Sequence, residues 1–273
     1  MSKVNVMGYE INYEVYGKKD GEPLLFLNGI MMSTLSWAPF KDAFEDYQAI
    51  FIDFFDQGAS SKETKPYTQD LHVEVLKELI DKLNLGKVHL FGISFGGEVA
   101  MQFALKYQDR LLTLILSNTV SETNALMQDL EEAWDYAAST YDGMVFFNAT
   151  MPFIYSSKFY RENSEWLKGR AELFNQTLTP EWYEGFRRAI RSAHSLNITD
   201  EIHKIEVPTL VMGGDLDILT PLENQIAIHE RIKDSKMLIM KDAGHGAMYE
   251  KSYEFAAAIV GFLKTYNKNI VVK

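Results

Sequence analysis

The sequence predicts an α/β fold: a mostly parallel, eight-stranded sheet with helices on both faces and one helical insertion. Three observations predict it. Six short runs are almost wholly apolar, as strands covered on both faces must be. Apolar stripes at helical spacing separate most of them. The alternation stops once, from about Ser121 to Val207, where no run of the buried kind occurs. Strand–helix alternation sets successive strands parallel, with right-handed crossovers carrying the helices onto the sheet faces.

In chain order, Val4–Val6 and Tyr9–Tyr16 alternate apolar and polar residues around Met7-Gly8, which reads as an antiparallel hairpin at a sheet edge. The buried-strand runs follow: Leu24–Leu27, Ala49–Ile52, Val88–Phe91, Leu112–Leu116, Thr209–Met212 and Met237–Met240. Leu71, Val75, Leu76, Leu79, Ile80 and Leu83 mark the first helix, and Val99, Ala100, Phe103, Ala104 and Tyr107 the second. Tyr249, Tyr253, Ala256, Ala257, Val260 and Leu263 mark the last. Inside the insertion, Leu126, Leu130, Ala133, Trp134 and Ala137 form one stripe and Tyr183, Phe186, Ile190 and Ala193 another. Thr179-Pro180 supplies the second with an N-cap and a first-turn proline. The insertion is rich in aromatics, among them Trp134, Trp166, Trp182, Phe146-Phe147 and Phe174. It is expected to pack over the carboxyl edge of the sheet as a cap of residues 121–207 on a core of 1–120 and 208–273.

The chain of 273 residues carries 27 Lys+Arg against 38 Asp+Glu, a formal net charge of -11. That field repels phosphate backbones and anionic lipid, which argues against nucleic-acid and membrane-surface partners; the expected partner is a small-molecule substrate. There is no cysteine, so disulfides, thiolate metal sites and a cysteine nucleophile are excluded. The N-terminus lacks the apolar run of a signal peptide, and a cytoplasmic address is expected. Monomer and homodimer both remain open.

The sharpest chemical signal is Phe91-Gly92-Ile93-Ser94-Phe95-Gly96-Gly97, where a predicted strand hands over to a predicted helix. A side chain that must project clear of such a turn forces its own backbone into a strained region. Gly92 and Gly96, two places before and after Ser94, remove the side chains that would clash there. The N–H groups opening the helix point at the same spot. The run matches neither G-x-G-x-x-G nor a phosphate loop.

A serine hydroxyl needs a base. His89 lies within a buried strand and has a core role; His72 and His229 fall on predicted helices and are expected to be solvated. His194 and His203 belong to the insertion or its exit, and His194 is a candidate for contacting substrate. His245 sits in Asp242-Ala243-Gly244-His245-Gly246-Ala247, beyond a strand and flanked by glycines, as a general base requires. The imidazole needs an orienting carboxylate, and Asp215 and Asp217 both follow the strand Thr209–Met212.

These motifs, in this order, resemble the α/β-hydrolase superfamily over essentially the whole chain. The residues carrying the resemblance are Gly92 to Gly97, Gly214-Asp215-Leu216-Asp217-Ile218-Leu219-Thr220-Pro221 and Gly244-His245. The family's acid loop, Gly-x-x-Asp-x-x-x-Pro, falls on Asp217 rather than Asp215. The resemblance makes the backbone N–H groups of Ile30 and Phe95 the oxyanion donors. Asn28-Gly29-Ile30 stands where the family usually has His-Gly-x, which leaves the backbone donor intact and changes the side-chain bonds around it. The stretch Asp53–Ser61 departs from the family's loop and reads as structural.

The resemblance implies hydrolysis of an ester, thioester or lactone through an acyl-enzyme on Ser94, with His245 as base, Asp217 as its partner and no cofactor or metal. The aromatic insertion suggests a largely apolar acyl group; Met31, Trp134 and Phe147, with His194, are the pocket candidates. A carbon–carbon bond hydrolase, a cofactor-free haloperoxidase or perhydrolase and an acyltransferase would share the triad. A serine nucleophile argues against haloalkane dehalogenase and epoxide hydrolase chemistry. A ligand receptor on a hydrolase scaffold is the non-enzymatic alternative.

Overall fold

The computed structural model describes residues 2–268. Its strands are β1 (Ser2–Val6), β2 (Tyr9–Gly17), β3 (Pro23–Leu27), β4 (Gln48–Ile52), β5 (Val88–Ile93), β6 (Leu111–Ser117), β7 (Thr209–Gly214) and β8 (Ser235–Met240). They form one sheet in the order β1-β2-β4-β3-β5-β6-β7-β8. The β1–β2 and β2–β4 pairs are antiparallel; β4–β3–β5–β6–β7–β8 are parallel throughout.

Successive strand residues point to opposite faces, so each parallel strand feeds two cores. On one face Leu25, Leu27, Leu90 and Leu114 pack with α1 (Gln69–Lys82), α2 (Phe95–Tyr107) and α8 (Leu222–Arg231). On the other, Leu24, Phe26, Phe51 and Phe91 meet the 3₁₀ turns of Thr34–Phe44 and α10 (Ser252–Thr265). Phe26, Trp37, Phe44, Phe51 and Phe91 are all fully buried there, and Phe26 has the other four rings within 5.3 Å. Each such ring contributes ~1.5–3 kcal/mol by leaving water.

Between β6 and β7 the chain forms α3 (Ala125–Ser139), α4 (Gly143–Ile154), α5 (Ser157–Glu162), α6 (Ser164–Thr177) and α7 (Pro180–Ala193) and no named strand. An isolated bridge, Glu122 to Asn197, pins the ends of this segment together. Thr179 caps α7 by accepting the N–H of Trp182 at 3.2 Å. Ile30, Met31 and Leu219, from the loops after β3 and β7, pack into the apolar cluster of α3, α4 and α7. The helices therefore rest on the carboxyl end of the sheet.

Four local expectations fail in whole or in part. Strand β8 is an edge, half exposed, with Ile239 at 49% exposure, because among the described residues no further strand pairs with it. The last helical stripe holds only in part: Leu263 is buried and Tyr249, Ala256 and Val260 pack against the core, but Tyr253 is 89% exposed and Ala257 is exposed, and Phe255 and Ile259 take the core positions. Lys251 (φ -136, ψ 51) separates α9 (Ala247–Glu250) from α10. His72 is not solvated; it is fully buried in an aromatic box, stacked on Phe55 at 3.9 Å, and burial drops its pKa to about 3. Leu126, expected on a buried stripe, is 76% exposed.

Candidate active site

Ser94 joins β5 to α2 with φ 53 and ψ -123, a region non-glycine residues rarely occupy. The flanking glycines permit the turn. A Cβ on Gly92 would lie 2.3 Å from Gly96 O, and one on Gly96 would lie 2.5 Å from Leu27 O. The Ser94 side chain makes no capping bond to α2 and is left free. Its Oγ lies 3.0 Å from His245 Nε2.

His245 Nδ1 lies 2.9 Å from Asp217 Oδ2. With the carboxylate ionised, Nδ1–H donates to it and Nε2 is left to accept the serine proton. Asp217 is fixed from every side. Its Oδ1 accepts the N–H groups of Leu219 and Thr220, each at 2.9 Å, and its Oδ2 accepts Asn118 Nδ2 and Thr220 Oγ1, each at 2.8 Å. Burial pushes this carboxyl up, but the His245 charge and these donors outweigh it and hold it below the ordinary value. Asp215, by contrast, is exposed. The His245 loop is anchored too: Gly246 N–H donates to Ile154 O at 2.6 Å and Gly244 N–H to Glu250 Oε1 at 3.1 Å.

A Cβ on Gly29 would be 3.6 Å from Ser94 Cβ, which places the loop after β3 against the Ser94 turn. Among the described residues no acceptor takes the N–H of Ile30 or of Phe95, and both residues line a cavity with Ser94. Asn28 is fully buried and satisfied by its side chain: Oδ1 accepts Trp37 Nε1 and Nδ2 donates to Ile52 O, each at 2.7 Å. Gln57 Nε2 donates to Gly29 O at 3.1 Å and Ile30 O at 3.3 Å, so the Asp53–Ser61 loop braces the segment carrying the Ile30 amide.

Ser94 lies between two cavities. The larger, ≈ 120 Å³, is walled by Met31, Met32, Trp134, Phe174 and Met248, with Arg170 at its rim. The Arg170 guanidinium sits 5.7 Å from the ring centroids of both Trp166 and Phe174 and makes no ion pair among the described residues. The smaller cavity, ≈ 50 Å³, brings Glu98 and Glu131 beside Ser94. Met31 and Trp134 thus line the site. Phe147 does not: it is 3% exposed inside the insertion's own cluster with Met151, Tyr155 and Leu167. His194 does not reach Ser94 either; it lies on the outer surface, 3.1 Å from Glu131 Oε2. Asn118, Thr220 and Gln57, which brace the site, carry no sequence signal beyond lying in loops that follow strands.

A serine held on a strained strand–helix turn at the carboxyl end of a doubly covered, mostly parallel sheet, with an imidazole and a carboxylate in line behind it, defines a class of α/β protein. The alpha/beta hydrolase fold model matches residues 22–252. The chain belongs to the alpha/beta hydrolase family. It is 31% identical to a proline iminopeptidase of Saccharolobus solfataricus over 81% of this chain and 78% of that one. It is 27% identical to the 2-hydroxy-6-oxo-6-(2'-aminophenyl)hexa-2,4-dienoic acid hydrolase of Metapseudomonas resinovorans over 95% of this chain and 89% of that one. The solved structure of MGS-M2, an alpha/beta hydrolase enzyme from a Medee basin deep-sea metagenome library, superposes with a TM-score of 0.96 at 31% identity, covering 99% of this chain and 100% of that one. No helix among the described residues is long and apolar enough to cross a membrane.

Proposed function

We propose that the chain is a serine hydrolase that cleaves a carboxylic ester, thioester or lactone with a largely apolar acyl group. The observation that carries this is the unbroken chain from Ser94 Oγ to His245 (3.0 Å) to Asp217 (2.9 Å). His245 takes the serine proton as Ser94 attacks the carbonyl; Asp217 holds the tautomer and stabilises the imidazolium. The Ile30 and Phe95 amides receive the oxyanion, each such donor being worth roughly a hundredfold to a thousandfold in rate. His245 returns its proton to the leaving group, then activates water to release the acyl-enzyme. The larger cavity takes the apolar part of the substrate, and residues 121–207 act as a cap that keeps it dry.

Arg170 favours a second reading. An unpaired guanidinium at the rim of the apolar cavity suits a substrate carboxylate. A carbon–carbon bond hydrolase acting on a keto acid, the kind of substrate named for the Metapseudomonas relative, would use it. One experiment tests both readings: a panel of short phenyl esters, lactones and dienone acids, assayed with the parent and Ser94→Ala. Ester turnover abolished in Ser94→Ala supports the first reading, and Ser94-dependent turnover confined to dienone acids the second. Undiminished turnover in the variant removes Ser94 from the chemistry.

A further inference from the structure

The smaller cavity beside Ser94 contains carboxyl groups that the hydrolytic scheme does not use. Its wall is apolar, formed by residues such as Phe95, Leu130, Trp134 and Ile190, apart from Ser94, Thr220, Glu98 and Glu131. Glu98 follows Ser94 by one turn of α2 and is 5% exposed. Its Oε2 accepts Gln69 Nε2 at 2.6 Å; its Oε1 takes no donor from the described residues and is not sealed by protein. Glu131 on α3 meets His194 through Oε2, and its Oε1 is likewise without a donor. Trp134, one turn on and 4% exposed, buries an indole N–H that finds no acceptor. No lysine or arginine lines the cavity.

Two unmatched acceptors in an apolar cleft call for a compact group rich in donors, and two carboxyls call for a positive one. Burial, opposed by the Gln69 bond, lifts Glu98 to about 7; burial and then the nearness of Glu98 lift Glu131 to about 8. A cation between them opposes both shifts, because it favours the ionised form of each carboxyl. The ≈ 50 Å³ volume admits about three heavy atoms beyond the reacting carbonyl. Four helical residues advance about 6 Å, so a group held by Glu98 lies only a few bonds from a carbonyl on Ser94.

We propose that this cavity is a subsite for a small ammonium group and that the preferred substrates are aminoacyl esters, the amine lying two or three bonds from the scissile carbonyl. The inference rests on the Ser94 chemistry proposed above and deepens it. An isosteric pair tests it: phenyl 3-aminopropanoate and phenyl butanoate differ only in an ammonium for a methyl. The parent is expected to favour the ammonium ester at least tenfold in kcat/KM at pH 8, after correction for uncatalysed hydrolysis. Glu98→Gln and Glu131→Gln, each keeping the shape of the side chain, should lower that ratio at least tenfold. A parent ratio near one, or a ratio unmoved in both variants, overturns the proposal. A binding measurement separates its failure from failure of the hydrolase reading. Propylammonium should saturably change tryptophan fluorescence in Ser94→Ala and fail to do so in Ser94→Ala/Glu131→Gln. If the parent hydrolyses neither ester, that titration still decides: saturation lost with Glu131 upholds the subsite, and no saturable change refutes it.

Discussion

Glu98→Gln should flatten the fall of stability toward alkaline pH. Glu98 is buried, so its carboxyl keeps its proton to about pH 7 in the fold but loses it near the ordinary 4.5 when unfolded. The native state therefore binds more protons than the unfolded state between these values, and stability falls as pH rises through them. The contribution is absent below about pH 4.5, where both states are protonated, and complete above about pH 7. At ~1.4 kcal/mol per pH unit, the ionised carboxyl costs the fold on the order of 3 kcal/mol by pH 9. Glutamine has the same shape, accepts the same Gln69 bond and never ionises. Urea titrations from pH 4.5 to 9 should give parent and variant curves that diverge as pH rises, the variant being more stable at pH 9 by roughly 2–3 kcal/mol with an unchanged m-value. Parallel curves across that range would refute the claim that Glu98 is a desolvated carboxyl.

Two further outcomes follow from the site. Asp217→Asn retains a side chain that can accept the Leu219 and Thr220 amides but offers His245 no charge; kcat on a phenyl ester should drop by about 10⁴-fold with the melting temperature little changed, and a drop under tenfold would contradict the role of Asp217. Gln57→Ala removes both donors to the Gly29 and Ile30 carbonyls. It should lower kcat about tenfold to a hundredfold with little change in KM, since a displaced oxyanion amide is felt in the transition state; a rise in KM alone would relocate Gln57 to substrate binding.

The fold was legible because each strand run and helix stripe carries its own period, and because the order of elbow, acid loop and histidine loop restricts the topology. Ser94 could be read from the glycines two places either side, whose function is steric and local. Asp217 needed the resemblance, since Asp215 and Asp217 differ only in which way the loop turns. His72 could not be read: helical spacing gives no warning that a polar ring will be enclosed by Phe54, Phe55, Tyr67 and Phe95, four rings drawn from three separate segments. The pocket was legible only in part, since Met31 and Trp134 line it while Phe147 and His194 do not. Phe147 and Trp134 are both aromatic residues on helices of one insertion, and only the packing of α4 against α6 decides that Phe147 turns inward to its own cluster. Gln57 and Asn118 matter through bonds spanning 28 and 99 residues of chain, and long-range pairing has no period.

The strained geometry of Ser94 survives because its surroundings leave no relaxed alternative. A non-glycine residue at positive φ of this kind costs on the order of 1–3 kcal/mol. Against that, the Ser94 N–H donates to Ser117 O at 2.9 Å, tying it to the end of β6. The Ser94 carbonyl accepts Gly97 N–H at 2.8 Å, Glu98 N–H at 3.2 Å and Thr119 Oγ1 at 2.8 Å. Rotating the residue to a common conformation would break this set in a buried setting, where each lost bond costs roughly 1–3 kcal/mol. The same bonds aim the hydroxyl away from the helix it would otherwise cap and toward His245. The strain and the free hydroxyl thus have one cause: β5, β6 and α2 fix both peptide units of Ser94, and only the side chain is left without a partner inside its own turn.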